Sequence, residues 1–202
     1  MLSRLLDLLA PPECAACPTR IGPARAFCPD CAATVQRAEA GAAFWYGGAV
    51  ATAITRWKFR GALGVGTALT GLFAAEMRHE VGPGHLLVPV PLHPRRLAER
   101  GFNPAQLLAR ALARETRARV APDLLRRIRD TPKQSQLGRE QRAHNVAAAF
   151  VRTAALPRGA RLGLIDDGRT TGSTLRACCE ELSAHGAGTV EAVVLAQAPP
   201  TA

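Results

Sequence analysis

The stretch "LGLIDDGRTTGSTL", Leu162–Leu175, constrains the fold more than any other. An apolar run ends on two adjacent aspartates, Asp166 and Asp167. It then passes through glycine and hydroxyl residues into a helical pattern. Arg161–Ile165 reads as a buried strand and Thr174–His185 as the next helix. Gly186–Gly188 ends that helix, and Val190–Leu195 is a further strand. Strand, loop, helix and strand make a βαβ unit, which requires a parallel sheet. Ligands of such sheets bind beyond the carboxyl ends of the strands, which is where the acid pair falls. Thr170, Thr171, Gly172, Ser173 and Thr174 then lie at a helix N-terminus. There backbone N–H groups and hydroxyls form a nest for a phosphate. Two acceptor-only carboxylates beside it suit the diol of a ribose phosphate. The alternative, an Asp pair capping the helix, explains one carboxylate but not the whole run.

The second constraint is "CAACPTRIGPARAFCPDC". Cys14, Cys17, Cys28 and Cys31 form two C-x2-C turns ten residues apart. Each turn brings two thiolates together, and two turns complete a tetrahedral sulfur site for zinc. Four sulfurs leave no open position, so the role is structural. A pair of disulfides or free thiols is the alternative. The opening "MLSRLLDLLAPP" reads as a short amphipathic helix rather than a secretory signal, because Asp7 interrupts the apolar run and no small-residue cleavage site follows. The expected compartment is therefore the reducing cytoplasm, which disfavours disulfides. The uncharged stretches Ala40–Thr55 and Gly61–Ala75 fall short of the roughly 20 apolar residues that span a bilayer. The expected division is a helix and four-cysteine module over residues 1–40 and an α/β domain over 41–202.

The net charge of +10 implies an anionic partner. It is concentrated: Pro91–Arg142 carries 13 Lys and Arg against 5 Asp and Glu. Arg126, Arg127 and Arg129 are candidate nucleic-acid contacts. So are Trp57 and Lys58, which with Phe59 interleave aromatic and basic side chains in a mixture suited to stacking on bases. The alternative there is that the aromatics are core and Lys58 is solvated. Gly61–Gly71 is rich in glycine, but no strand precedes it and no acid follows at the right distance, which excludes a dinucleotide fingerprint. Thr67–His79 reads as a helix with an inward apolar stripe. Leu86–Val90 reads as a strand. Prolines 89, 91 and 94 then stiffen a loop bearing Arg95, Arg96 and Arg100, a plausible anion site before the helix that Asn103 caps and Pro104 opens. Arg126–Phe150 is polar and basic, and it reads as a mobile lid.

Taken together, "WKFRG", "VPVPLHPRRLAERGFNPA", "TPKQSQLGREQRAHNVAAAF", "IDDGRTTGSTL" and the cysteine module resemble the ComF family over nearly the whole chain. "IDDGRTTGSTL" itself resembles the phosphoribosyl pyrophosphate motif of type I phosphoribosyltransferases. The resemblance implies an α/β, parallel-sheet domain of that type with a small N-terminal zinc module. It implies a cytoplasmic protein of natural competence that handles incoming single-stranded DNA beside other competence proteins. It further implies Mg2+-dependent displacement of pyrophosphate at the ribose C1. Asp166 and Asp167 would hold the ribose hydroxyls and stabilise developing charge, and Thr170–Thr174 would anchor the 5′-phosphate. Arg96 and Arg100 would bind pyrophosphate, with Lys133 and Arg139 closing over it. His93 and His144 are the candidate general bases. Gly168 replaces an aliphatic residue usual in the motif and Arg169 follows, a change expected to loosen the loop and to add a positive charge near the phosphate. The pair Cys178-Cys179 is expected to pack the helix.

Overall fold

The computed structural model describes residues 12–22, 25–39, 41–60, 62–130 and 149–200. The expected N-terminal helix lies outside them, as do Lys133, Arg139 and His144 of the expected lid. The elements, in chain order, are α1 (Pro29–Ala32), β1 (Ala42–Trp45), α2 (Gly48–Arg60), α3 (Leu63–Met77) and β2 (His85–Pro89). There follow α4 (Pro94–Arg100), α5 (Pro104–Thr116), β3 (Arg119–Val120), β4 (Leu125–Arg127) and β5 (Phe150–Arg152). The chain ends with β6 (Arg161–Asp166), α6 (Ser173–Ala184) and β7 (Thr189–Gln197).

Five strands form one parallel sheet in the order β1-β7-β6-β2-β3. Its central strands read as near-continuous apolar runs because both faces are covered. Alternation along each strand assigns the faces. Leu87, Ile165 and Leu195 enter a core with Leu69 and Phe73 of α3 and Leu108 and Leu112 of α5. Val88, Leu164 and Val194 enter the opposite core with Leu175, Cys178 and Leu182 of α6. The chain leaves β2 through α5 towards β3, and leaves β6 through α6 towards β7. The strand order therefore reverses between β2 and β6, and a crevice opens at their carboxyl ends. Pro89 pairs with Ile165 there, and the Val90 N–H donates to the Ile165 carbonyl at 2.8 Å.

Two expectations are corrected. The proline-rich loop after β2 is short: Pro94–Arg100 is a helix, opened by proline at its first turn and by a His93 ring nitrogen that accepts from the Arg95 N–H. Proline is tolerated there because the first N–H groups of a helix have no partner within it. The ends of the expected lid are not irregular either. Leu125–Arg127 and Phe150–Arg152 pair as an antiparallel ribbon. Asn103 does cap α5, accepting from the Ala105 N–H at 3.1 Å, and its amide also donates to the Val90 carbonyl at 3.0 Å. That second bond ties α5 to the crevice.

The cysteine module shares the main core. Cys14, Ala15, Phe27 and Cys28 are buried in one cluster with Val50, Ile54 and Trp57 of α2. Trp57, 2% exposed, lies stacked on Phe102 with ring centroids 5.7 Å apart. This corrects its assignment as a base-stacking residue, since no base can reach a ring enclosed by the core. A β-carbon on Gly66 of α3 would lie 2.4 Å from the Trp57 Nε1. Gly66→Ala is therefore expected to destabilise the fold by about 1–3 kcal/mol through overpacking, although alanine is the better helix former. Gly71→Ala, on the same helix with nothing within 4 Å of the added carbon, is expected to stabilise it by about 0.5–1 kcal/mol. Urea unfolding of the two variants reads this difference in sign.

Candidate functional site

Asp166 ends β6 and Asp167 begins the loop in the crevice. Their side chains are joined to different partners. The Asp166 Oδ1 accepts from the Asp167 backbone N–H at 2.8 Å. The Asp167 Oδ1 accepts from the Lys58 Nζ at 2.6 Å, and both side chains are largely buried. Lys58 lies in the last turn of α2, so the structure directs it at the acid pair and not at solvent. Burial pushes the Asp166 carboxyl up to about 7, and the neighbouring Asp167 adds to the shift. Lys58 and Arg127 oppose it.

Arg127 has surroundings that the sequence did not show. As one of three consecutive-looking arginines it read as a nucleic-acid contact. In the fold it is half-buried, 5.5 Å over the Phe150 ring, and electrostatically coupled to Asp166, Asp130 and Arg96. Only strand alternation within β4 carried a signal for this: Arg126 faces out, and Arg127 faces the other way. Arg126 and Arg129 are exposed, as a phosphate contact requires.

The threonine loop leads into α6 through Gly172, which has φ +72 and provides no side-chain cap. Residues 168–175 enclose a small cup of about 20 Å³ lined by Thr170, Gly172, Ser173 and Thr174. The Thr171 hydroxyl bonds the Ser173 hydroxyl at 3.2 Å. Arg169 also lines this cup. Its side chain bonds the Gln197 amide oxygen at the end of β7. Its backbone N–H donates to the Ala196 carbonyl at 2.8 Å, and its carbonyl accepts from the Ala198 N–H at 2.8 Å. The Gly168-Arg169 departure therefore ties the loop to the sheet instead of loosening it.

Across the crevice, Asp130 gathers three groups of the α4 start: His93 at 3.9 Å, Arg95 at 3.9 Å and Arg96 at 3.8 Å. His93 faces this carboxylate through the same ring nitrogen, Nδ1, that caps α4. Arg100 lies 5.9 Å over the Phe59 ring.

The four cysteines converge. Their sulfur atoms lie within 4.8 Å of one another, close enough to hold a metal ion, with Cys17 and Cys28 3.7 Å apart. Four sulfurs at about 2.3 Å from a tetrahedral centre stand roughly 3.8 Å apart, so the set fits. The Cys28 N–H donates to the Cys14 sulfur at 3.4 Å. A hydrogen bond with the Thr19 hydroxyl holds the Cys17 thiol down, near 6. The cluster is fixed to α2 by Arg56, whose Nη1 donates to the carbonyls of Cys14 at 2.9 Å and Ala15 at 3.1 Å. Nothing in the sequence marks Arg56 out. Cys178 is buried against the sheet and Cys179 is half-buried, in keeping with helix packing. Among the described residues, no helix is long and apolar enough to cross a membrane.

The chain is 33% identical over 143 residues to DNA utilization protein YhgH of Escherichia coli O6:H1, covering 68% of the chain and 63% of that protein. It is 29% identical over 154 residues to Competence protein F of Haemophilus influenzae, covering 72% of the chain and 66% of that protein. The chain thus spans just under two thirds of the length of these relatives, and they bear out the resemblance to the ComF family. A solved structure of the allosteric regulatory enzyme of purine biosynthesis aligns with a TM-score of 0.43 at 19% identity, over 65% of this chain and 26% of that one. Residues 97–202 match the family model described as the phosphoribosyl transferase domain. That match takes in more than half of the sequence, with the acid pair and the threonine loop inside it, and the chain belongs to the phosphoribosyl transferase domain family.

Proposed function

We propose that this protein binds phosphoribosyl pyrophosphate with Mg2+ in the crevice between β2 and β6 and acts on single-stranded DNA in competence or DNA utilization. The observation that carries the reading is the acid pair at the carboxyl end of β6, running directly into an uncapped helix N-terminus. Asp166 and Asp167 accept from the ribose hydroxyls and stabilise positive charge developing at C1. The loop Thr170–Thr174 receives the 5′-phosphate on backbone N–H groups and hydroxyls. Arg96 and Arg127 face the pyrophosphate side, Arg100 completes that side from the end of α4, and Lys133 and Arg139 are proposed to close over it. Carboxylate oxygens are the hard donors that Mg2+ prefers, and the ion supplies charge neutralisation of the leaving pyrophosphate. Lys58 holds the Asp167 side chain in place before ligand arrives. Cys14, Cys17, Cys28 and Cys31 hold a structural zinc.

A second reading, binding without turnover, is favoured by one observation: His93 is engaged as a helix cap and faces Asp130. Magnesium-dependent pyrophosphate release, measured with and without DNA, separates the two. Release means transfer chemistry, and binding without release means a sensor.

Calorimetric titration with phosphoribosyl pyrophosphate and Mg2+ tests the site itself. Asp166→Asn with Asp167→Asn is expected to weaken binding by about 2–4 kcal/mol, because charge-assisted acceptors become neutral ones. Equal affinity in a folded double variant would sink the assignment. Without ligand, the raised Asp166 value has a consequence for stability. The folded state holds a proton that the unfolded state has already lost. Its contribution is therefore fully present below about pH 4 and is lost as pH rises to about 7. Asp166→Asn is expected to flatten this decline, seen as the difference in urea midpoint between variant and wild type from pH 5 to 8. Metal analysis of protein purified without chelators is expected to find about one zinc per chain, lost in Cys28→Ser.

A further inference from the structure

The last turn of α2 carries one aromatic residue that neither the core nor the acid pair uses. Phe59 is 63% exposed, the most exposed large apolar side chain among the described residues. It closes one end of a groove of about 610 Å³ between the cysteine module and α2. Residues 16–18 form one wall, and Ala51, Thr52, Thr55 and Phe59 form the other. The hydroxyls of Thr52 and Thr55 donate to their own helix, to the carbonyls of Gly48 and Ala51. Their lone pairs are thus left to accept. Arg100 stands over the Phe59 ring and supplies positive charge at the same end.

From this arrangement we infer that the groove is a binding track for an unpaired nucleic-acid strand, with one base stacked on Phe59. The inference deepens the nucleic-acid part of the function proposed above and rests on it. An exposed ring flanked by a guanidinium and hydroxyl acceptors is the surface that stacks a base without regard to sequence. A duplex keeps its bases stacked inside and cannot use it. The chain's net charge of +10 favours a polyanion over a neutral planar molecule.

The test is fluorescence anisotropy with a labelled oligo-dT of about ten nucleotides, a length within the range such grooves occupy. Phe59→Ala is expected to bind it about 5- to 100-fold more weakly than wild type, the loss of one stacked base. Phe59→Trp is expected to restore binding. An abasic strand of equal length is expected to bind wild type and Phe59→Ala alike, since it keeps the phosphates and lacks the bases. The inference is overturned if Phe59→Ala binds oligo-dT as tightly as wild type. It is equally overturned if the loss persists on the abasic strand, or if duplex of the same sequence shows the same dependence on Phe59. Calorimetry with phosphoribosyl pyrophosphate separates the two levels. Wild type that binds this ligand but no strand leaves the crevice assignment intact and removes the track. Strand binding that depends on Phe59, without phosphoribosyl pyrophosphate binding, does the reverse.

Discussion

The contact between Lys58 and Asp167 sets the conditions for everything around it. Two carboxylates one residue apart at the end of a buried strand repel each other and are poorly hydrated. Lys58, at 2.6 Å, pairs with one of them, Asp167. The other carries the remaining cost, which is why burial and its neighbour push Asp166 up to about 7. The pair is thus asymmetric before any ligand arrives: Asp167 is tied to a lysine, and Asp166 carries the raised value. Removing Lys58 would leave both carboxylates to share that cost, and it would also cut a side-chain tether from α2 to the β6 loop.

That tether gives the cysteine module a place in the same mechanical unit. Thr34, just beyond Cys31, accepts from the Ala49 N–H at 3.0 Å and so caps the start of α2 from outside. Arg56 bonds the carbonyls between the first cysteines. The module therefore holds α2 near both of its ends, with a shared core between them. A metal that orders the cysteines would also order the helix that carries Lys58.

Much of this was legible in the sequence because it follows from local pattern. The βαβ unit around Asp166, the Asn103 cap and the four-cysteine spacing each rest on residues close in the chain. What escaped was nonlocal or depended on direction. Trp57, Lys58 and Phe59 read as one mixed patch, yet helical geometry sends the three side chains to different surroundings. Arg127 read like Arg126, and only its pairing with Phe150 across the ribbon turned it inward. The α4 helix was hidden by three prolines that read as a loop, although one of them sits where helices begin. Arg169 read as a free charge because its partner, Gln197, lies a whole helix and strand away.

Consider how α2 is indexed. Four consecutive residues in its last turn face four destinations: Arg56 the module, Trp57 the core, Lys58 the acid pair and Phe59 the open groove. Each residue advances the helix by about 100° and 1.5 Å. One residue lost between Gly48 and Arg56 would turn the whole set by a position, placing an ammonium where the indole packs and an indole against the cysteine carbonyls. Substitutions in this helix can be judged one at a time, but its length cannot drift. Between the Thr34 anchor and the acid pair, α2 works as a gauge of fixed length, and chain-length variation must be taken up in the loops on either side.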